Sequence, residues 1–121
     1  MTLDEFFAGY DEARRIFDCL HDMIDTIGPA QLRVSKSQVA FVRHTVFARA
    51  WMPDIYLGRG HAPLVLTLGF REKDPAVRWK QVVEPAPGRF THHLELYAVE
   101  EIDDQVRSWL QKAWDVAGQH A

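Results

Sequence analysis

The residues with the clearest chemical potential lie in one short run of the sequence, THHLEL at positions 91–96. Histidine and carboxylate side chains are the groups that most often bind metal ions and transfer protons. The alternation of polar and apolar residues predicts a β-strand here, and adjacent side chains of a strand point to opposite faces. His92 and His93 are therefore not expected to bind one metal ion together. Because His92 shares its face with Leu94 and Leu96, we expect it to be a core residue.

The other face of this predicted strand carries His93, Glu95 and Tyr97. A histidine that is oriented by a carboxylate acts as a general base in many enzymes. With Arg49 to hold an anionic group, this pair supports the hypothesis of a hydrolase or transferase. The same spacing is also typical of an exposed pair of polar residues, so both interpretations stay open.

Spacings that specify a metal site, a cofactor site or a nucleophile are missing from the sequence. His44 and His61 stand at no recognised ligand spacing from the 91–96 run, and Cys19 is the only cysteine. No glycine-rich dinucleotide loop and no Gly-x-Ser-x-Gly turn is present. We therefore expect no metal and no cofactor. Cys19 falls on the apolar stripe of a predicted helix, which indicates a buried structural thiol.

Charge is distributed unevenly along the chain, whose formal net charge is -3. Residues 1–30 carry -5, residues 31–93 carry +6 and residues 94–121 carry -4. A basic middle segment favours an anion-binding surface, although exposed strands often carry arginine and lysine as well. The segment also supports a weak nucleic-acid adaptor as a hypothesis. A pI near 6.0 and the lack of a recognised binding motif argue against strong affinity for nucleic acid.

Length and composition predict a single domain that spans residues 1–121. The chain is 47% hydrophobic, which is enough apolar material for one core and too much for a disordered protein. Its acidic start does not resemble a secretory signal, and no apolar run is long enough to cross a bilayer. The lone cysteine suits a reducing compartment. We expect a cytoplasmic protein that makes no membrane contact.

Helical periodicity is clearest over residues 10–27, where a single apolar stripe continues until a Gly-Pro pair stops the helix. Thr2 and Glu5 form a capping-box pattern before a short first helix. A second long apolar stripe covers residues 102–117, behind an acidic segment that is typical of a helix N-terminus.

Between these helices the pattern changes to alternation, which predicts strands at 31–34, 39–43, 46–52, 64–70 and 90–98. Short connections favour antiparallel neighbours. Residues 71–89 fit neither period and are predicted to form a loop with one short element. The predicted fold class is α+β, an antiparallel sheet of about five strands with the N-terminal and C-terminal helices packed on one face.

Strand alternation divides this sheet into two faces. The face toward the helices is predicted to carry Val46, Ala48, Ala50, Met52, Leu64, Leu66, Leu68, Leu94 and Leu96. The opposite face is predicted to carry Arg33, Phe47, Arg49, Trp51, Thr67, His93, Glu95 and Tyr97. Large aromatic side chains beside guanidinium groups are unusual on a merely solvated surface, so we expect something to cover this face.

Three kinds of cover are consistent with the sequence: a ligand or partner, a second copy of the chain, or residues 71–89. The first makes Arg49, Trp51, His93, Glu95 and Tyr97 the candidate ligand-binding residues. Our leading hypothesis is therefore a non-enzymatic binding or accessory module. Its partner would be a small anion, another protein or a second copy of the chain in a homodimer.

Several runs of the sequence carry a resemblance to a known family. They are FFAG at 6–9, SKSQVAF at 35–41, WKQVVEPAPGR at 79–89, HHLEL at 92–96 and IDD at 102–104. Through them the chain resembles a bacterial family of domains of unknown function along almost its whole length. The resemblance implies a compact α+β domain, found alone or as a C-terminal module, in some architectures beside nuclease-like domains. It implies no established activity and no catalytic residue.

Overall fold

A computed structural model describes residues 1–58 and 60–119 of the chain. Its elements are α1 Leu3–Phe6, α2 Asp11–Ile27, β1 Gln31–Val34, β2 Val39–Arg43, β3 Thr45–Trp51, α3 Asp54–Leu57, β4 Leu64–Phe70, β5 Gln81–Ala86, β6 Arg89–Leu96, a 3-10 turn Val99–Glu101 and α4 Asp104–Ala117. The strands form one six-stranded antiparallel sheet in the order β1-β2-β3-β4-β6-β5. The predicted α+β fold class is confirmed.

The sixth strand, β5, lies in the segment that was predicted to be a loop with one short element. It forms the edge of the sheet beside β6, and most of its residues are exposed. An edge strand with little burial shows weak alternation, and Pro85 is tolerated there because its missing N–H is not needed by a further strand. These two properties explain why the pattern of residues 81–86 resembles neither a buried strand nor a helix.

Helices α2 and α4 pack against each other and against the same side of the sheet. The capping box that Thr2 and Glu5 predict is present at the start of α1. At the end of α2, Trp114 of α4 donates from Nε1 to the carbonyl of Pro29 at 3.0 Å. A Cβ atom on Gly28 would lie 2.3 Å from the Trp114 ring, so this close contact between the helices requires glycine.

The core layer predicted for the helix-facing side is confirmed with one exception. Val46 is only half-buried, whereas these eight residues are buried: Ala48, Ala50, Met52, Leu64, Leu66, Leu68, Leu94 and Leu96. The prediction for Cys19 also needs correction, because its side chain is half-buried at the edge of the core. Burial raises the pKa of the Cys19 thiol, which keeps it in the less reactive protonated form.

A β-bulge changes the alternation of β3. Phe41 pairs with Ala48 but Val42 pairs with Val46, so Phe47 is an extra residue between the two pairs. An extra residue breaks the two-residue period of the strand. Phe47 consequently joins the core with its ring centroid 6.3 Å from that of Phe41. The prediction that Phe47 lies on the opposite face is wrong for this reason.

Residues 71–80 pack at the helix side of the sheet rather than across its opposite face. The ring of Trp79 lies 4.1 Å from that of Trp109 in α4, measured between centroids. The carboxylate of Asp74 accepts hydrogen bonds from Nε1 of Trp79 at 3.0 Å and from Nε1 of Trp109 at 3.2 Å. Because residues 81–86 then continue as the edge strand, the alternative in which residues 71–89 cover the opposite face is wrong.

His92 completes this cluster as a fully buried core residue, as predicted. Its Nε2 accepts from the backbone N–H of Asp74 at 3.0 Å, and its Nδ1 lies 3.3 Å from the Phe90 carbonyl. This pattern requires the neutral ring, with the hydrogen on Nδ1. Burial lowers the pKa of His92; the Asp74 carboxylate opposes the shift and Lys112 adds to it.

The lowered pKa of His92 predicts that the protein loses stability in mild acid. A buried neutral histidine contributes to the free energy of unfolding. This contribution is fully present above the pKa of the histidine in the unfolded chain, about 6.5, and is lost as the pH falls toward its lower pKa in the folded protein. Burial also lowers the pKa of His93, which adds to the loss of stability in acid.

Urea denaturation between about pH 7.5 and pH 5 measures this loss of stability. His92→Gln, which can still accept from Asp74, should show a shallower pH dependence. A slope equal to that of the wild type would contradict this explanation.

Candidate functional site

The register of the strands brings polar residues from different parts of the sequence into one row. On the face opposite to the helices, called the open face below, the paired residues are Arg33, Ala40, Arg49, Thr67, His93 and Gln81. Directly paired residues of antiparallel strands share a face and have neighbouring side chains. The row therefore places Arg49 and His93 on the two sides of Thr67, in the middle of the sheet.

An open concavity of about 560 Å³ lies over this part of the row. It is lined by Ser37, Gln38, Arg49, Trp51, Tyr56, Thr67, Thr91 and His93. The hydroxyl of Tyr56, in α3, donates to the Ser37 carbonyl at 2.9 Å and so ties α3 to the β1–β2 turn along the rim. The volume falls within the range of about 300 to 1,000 Å³ that is common for small-molecule sites. We call this space the central concavity.

A chain of hydrogen bonds orders the floor of the central concavity. Nε1 of Trp51 donates to Oγ1 of Thr67 at 2.9 Å, and this oxygen lies 2.8 Å from Nδ1 of His93. Among the described residues the Thr67 hydroxyl has no acceptor other than Nδ1 of His93, so we assign its hydrogen to that contact and the ring hydrogen of His93 to Nε2. Among residues 1–58 and 60–119, no group accepts a hydrogen bond from that Nε2.

His93 is electrically neutral near pH 7 in this position. Burial lowers the pKa of its ring, and no carboxylate opposes the shift. Its ring meets Trp51 edge to face, with centroids 6.2 Å apart. A neutral imidazole whose Nε2–H is unoccupied is a hydrogen-bond donor of fixed orientation.

Arg49 supplies the charge of the central concavity. Its side chain is exposed, and within the part of the chain that the structure describes its guanidinium makes no ion pair or hydrogen bond. No aspartate or glutamate is among the residues that line the concavity. Guanidinium groups bind carboxylates and phosphates through paired hydrogen bonds, so the electrostatics of this space favour an anion.

Two of the predicted site residues, Glu95 and Tyr97, lie beside the central concavity and do not line it. The Tyr97 hydroxyl donates to Oε2 of Glu95 at 3.3 Å, and Nζ of Lys80 lies 4.0 Å from Oε1. Among the described residues no hydrogen bond joins Glu95 to His93, whose ring is oriented by Thr67 instead. The base-and-orienter arrangement that the enzyme hypothesis needs is therefore not assembled here.

Sequence reasoning missed several residues of the central concavity. Tyr56 lies on the four-residue helix α3, in the connection between the strands predicted at 46–52 and 64–70. Where a loop folds relative to a sheet depends on tertiary contacts, and no sequence pattern reports it. Thr67 was placed on the correct face by alternation, but its role as the link between Trp51 and His93 depends on the register of three strands.

The fold and the open face define a small α+β domain whose antiparallel sheet is covered on one side and carries a cationic concavity on the other. The chain belongs to the family described as Domain of unknown function (DUF5655), whose model matches residues 3–117. The resemblance to a functionally uncharacterised family is thereby confirmed. Comparisons with curated proteins and with solved structures gave no match. Within the described residues, no helix has the length and apolar character that a membrane span requires.

We predict that the protein, purified without an affinity tag, contains no stoichiometric transition metal. Both ring nitrogens of His92 are engaged inside the core, and His93 lies on the other face with one nitrogen held by Thr67. The described residues hold no group of three side chains suited to a metal ion. Elemental analysis measures the content directly. About one equivalent of zinc per chain would contradict the prediction, since a structural or catalytic zinc site binds one ion.

Proposed function

We propose that this chain is a non-enzymatic binding module that holds a small anion on its open face. The observation that carries the proposal is the exposed Arg49 guanidinium in the central concavity. Among the described residues it has no partner, and none of their carboxylates lines the concavity. His93 supports it by offering a neutral N–H donor across Thr67 from Arg49. A charged donor beside a neutral, oriented donor fits an anion with several acceptor oxygens.

The aromatic residues of the concavity restrict the rest of the ligand. The rings of Trp51 and Tyr56 meet edge to face, with centroids 6.2 Å apart and an interplanar angle of 65°, and give the concavity an aromatic wall. Aromatic walls favour planar or apolar groups, whereas Arg49 favours a carboxylate or phosphate. The ligand class that satisfies both is a phosphate or carboxylate attached to a flat ring. We also place the module in a reducing cytoplasm, for which its single cysteine is suited.

Titration calorimetry with phenyl phosphate tests this proposal, with inorganic phosphate and phenol as the two halves of the probe. We expect phenyl phosphate to bind more tightly than either half, because only the whole probe uses both the aromatic wall and Arg49. Arg49→Ala should weaken binding by about tenfold or more, the effect of losing a charge-assisted hydrogen bond. The double variant Arg49→Ala, His93→Ala should abolish binding and keep the fold, which circular dichroism checks.

The matched control is Arg15→Ala, which removes an exposed arginine from α2, far from the open face. It should leave the affinity for phenyl phosphate unchanged. Equal affinities of the wild type and Arg49→Ala, or loss of folding in the double variant, would contradict the proposal.

The other hypotheses give different results in the same experiments. Self-association through the open face would appear as a concentration-dependent mass in sedimentation, abolished by Arg49→Ala. A nucleic-acid adaptor would bind a short single strand with affinity that falls steeply as salt rises. Either result without phenyl phosphate binding would replace the small anion as the ligand of this face.

A further inference from the structure

A second cationic feature lies at the end of the sheet where β4 leaves it and β6 enters it. The pairing of these strands ends with Gly69 opposite Thr91 and Phe70 opposite Phe90. Arg71 follows Phe70 and Arg89 precedes Phe90, so both arginines lie at this end of the sheet, where they line the same groove. Two arginines at one end of a sheet create a positive potential there. This potential favours the binding of an anion.

No carboxylate of the described chain supplies that anion. Glu72 follows Arg71 in sequence, but its Oε1 lies 3.4 Å from Nζ of Lys112 in α4. Glu84 is on the neighbouring strand, and its Oε2 accepts from the backbone N–H of Gly88 at 3.1 Å, which closes the β5–β6 turn. Among residues 1–58 and 60–119, the guanidinium groups of Arg71 and Arg89 make no ion pair and no hydrogen bond.

The two arginines border a groove of about 740 Å³ between the β5–β6 turn and the C-terminal end of α4. Phe47, Phe70 and Phe90 contribute apolar walls, and Ala113 and Ala117 of α4 close the helix side. No aspartate or glutamate lines it. A concave site that is largely apolar and has a few charged groups at its border matches the usual design of a small-molecule pocket.

Gly69 provides the space at the bottom of this groove. A Cβ atom built on Gly69 would have no heavy atom within 4 Å among the described residues. Glycine inside a strand weakens the strand and marks a bulge, a bend or a close approach by a ligand or another backbone. The open space beside Gly69, which lines the groove together with the two arginines, gives room for the body of a ligand.

We propose that this groove is a second binding site, for an amphipathic anion with an apolar body and one phosphate or carboxylate head. The head lies between Arg71 and Arg89, whose positive potential attracts it. The apolar body lies along the phenylalanine walls toward Gly69. Arg71 and Arg89 line this groove and not the central concavity, although Arg49 and Thr91 line both spaces.

Binding of octyl phosphate, octanoate and 1-octanol, each followed by NMR titration of the full chain, tests this proposal. The two anions have apolar chains of nearly equal length and differ in head group, so their relative affinities identify the head that the site prefers. We expect 1-octanol to bind at least about tenfold more weakly than the better anion, because it lacks the charge-assisted hydrogen bonds. The variant Arg71→Ala, Arg89→Ala should weaken the better anion by a similar factor and leave 1-octanol unchanged.

Gly69→Leu is a second, independent variant, since it fills the groove and retains every arginine. It should abolish binding of all three probes while the circular dichroism spectrum stays unchanged. Arg15→Ala is again the matched control. Three results would overturn the proposal: 1-octanol binding as tightly as the anions, equal anion affinity after loss of Arg71 and Arg89, or anion binding that depends on His93 instead. The last would assign the anions to the central concavity.

Discussion

Replacing Leu66 with alanine is expected to lower the free energy of unfolding by about 2 to 5 kcal/mol. Leu66 is fully buried in β4, paired with Ala50 on one side and Leu94 on the other. Both α2 and α4 pack on β4, so the side chain lies between the sheet and the helices. Truncation removes apolar contacts and leaves a cavity, and the small neighbour Ala50 cannot expand to fill it.

Leu57 offers a matched control for this prediction, because it is a leucine that is 60% exposed at the end of α3. Leu57→Ala should change the stability by no more than about 0.5 kcal/mol. Urea denaturation followed by circular dichroism gives both values. If Leu66→Ala were as stable as Leu57→Ala, the placement of β4 at the centre of the core would be wrong.

Replacing Asp74 with alanine is expected to lower the free energy of unfolding by about 2 to 4 kcal/mol, nearly as much as Leu66→Ala. The carboxylate accepts from the indole nitrogens of Trp79 and Trp109 and from the backbone N–H of Ala76. Although burial opposes it, these hydrogen bonds hold the pKa of Asp74 below its ordinary value. Without the carboxylate, two part-buried indole donors lose their acceptor, which costs more than the hydrogen bonds contribute.

Asp74→Asn separates the hydrogen bonds from the packing. The amide keeps one acceptor oxygen but presents an NH2 group to the second indole, so we expect a loss between that of Asp74→Ala and none. Asp22→Ala, an exposed residue of α2, serves as the control. If Asp74→Ala lowered the free energy of unfolding by less than about 0.5 kcal/mol, the hydrogen bonds of Asp74 to Trp79 and Trp109 would not be what holds residues 71–80 in place.

The fold could be predicted closely from the sequence because its main elements have strong and simple patterns. Helix α2 follows one apolar period, and strands β1, β2 and β4 are short alternating or apolar runs between clear turn residues. The errors arise where a local rule is overridden by pairing. The bulge beside Phe41 moves Phe47 into the core, and the exposed edge position of β5 hides its alternation.

The candidate site could be predicted only in part. Alternation identified Arg49, Trp51 and His93 as residues of one face, because a two-residue period fixes the side of each residue in a regular strand. It could not show that Thr67 links Trp51 to His93, or that Tyr56 borders the same space, since both depend on how distant segments meet. That Arg71 and Arg89 line one groove depends on tertiary contacts as well.

The central claim, that the open face binds a small anion through Arg49, is tested most directly by an NMR titration of isotope-labelled protein with phenyl phosphate. The backbone amides of Arg49, Thr67 and His93 should shift progressively and saturate, while amides on the outer surfaces of α2 and α4 stay in place. In the Arg49→Ala variant, the amide signals of Thr67 and His93 should not shift when phenyl phosphate is added. Shifts confined to the helices, or shifts on the open face that persist without Arg49, would contradict the claim.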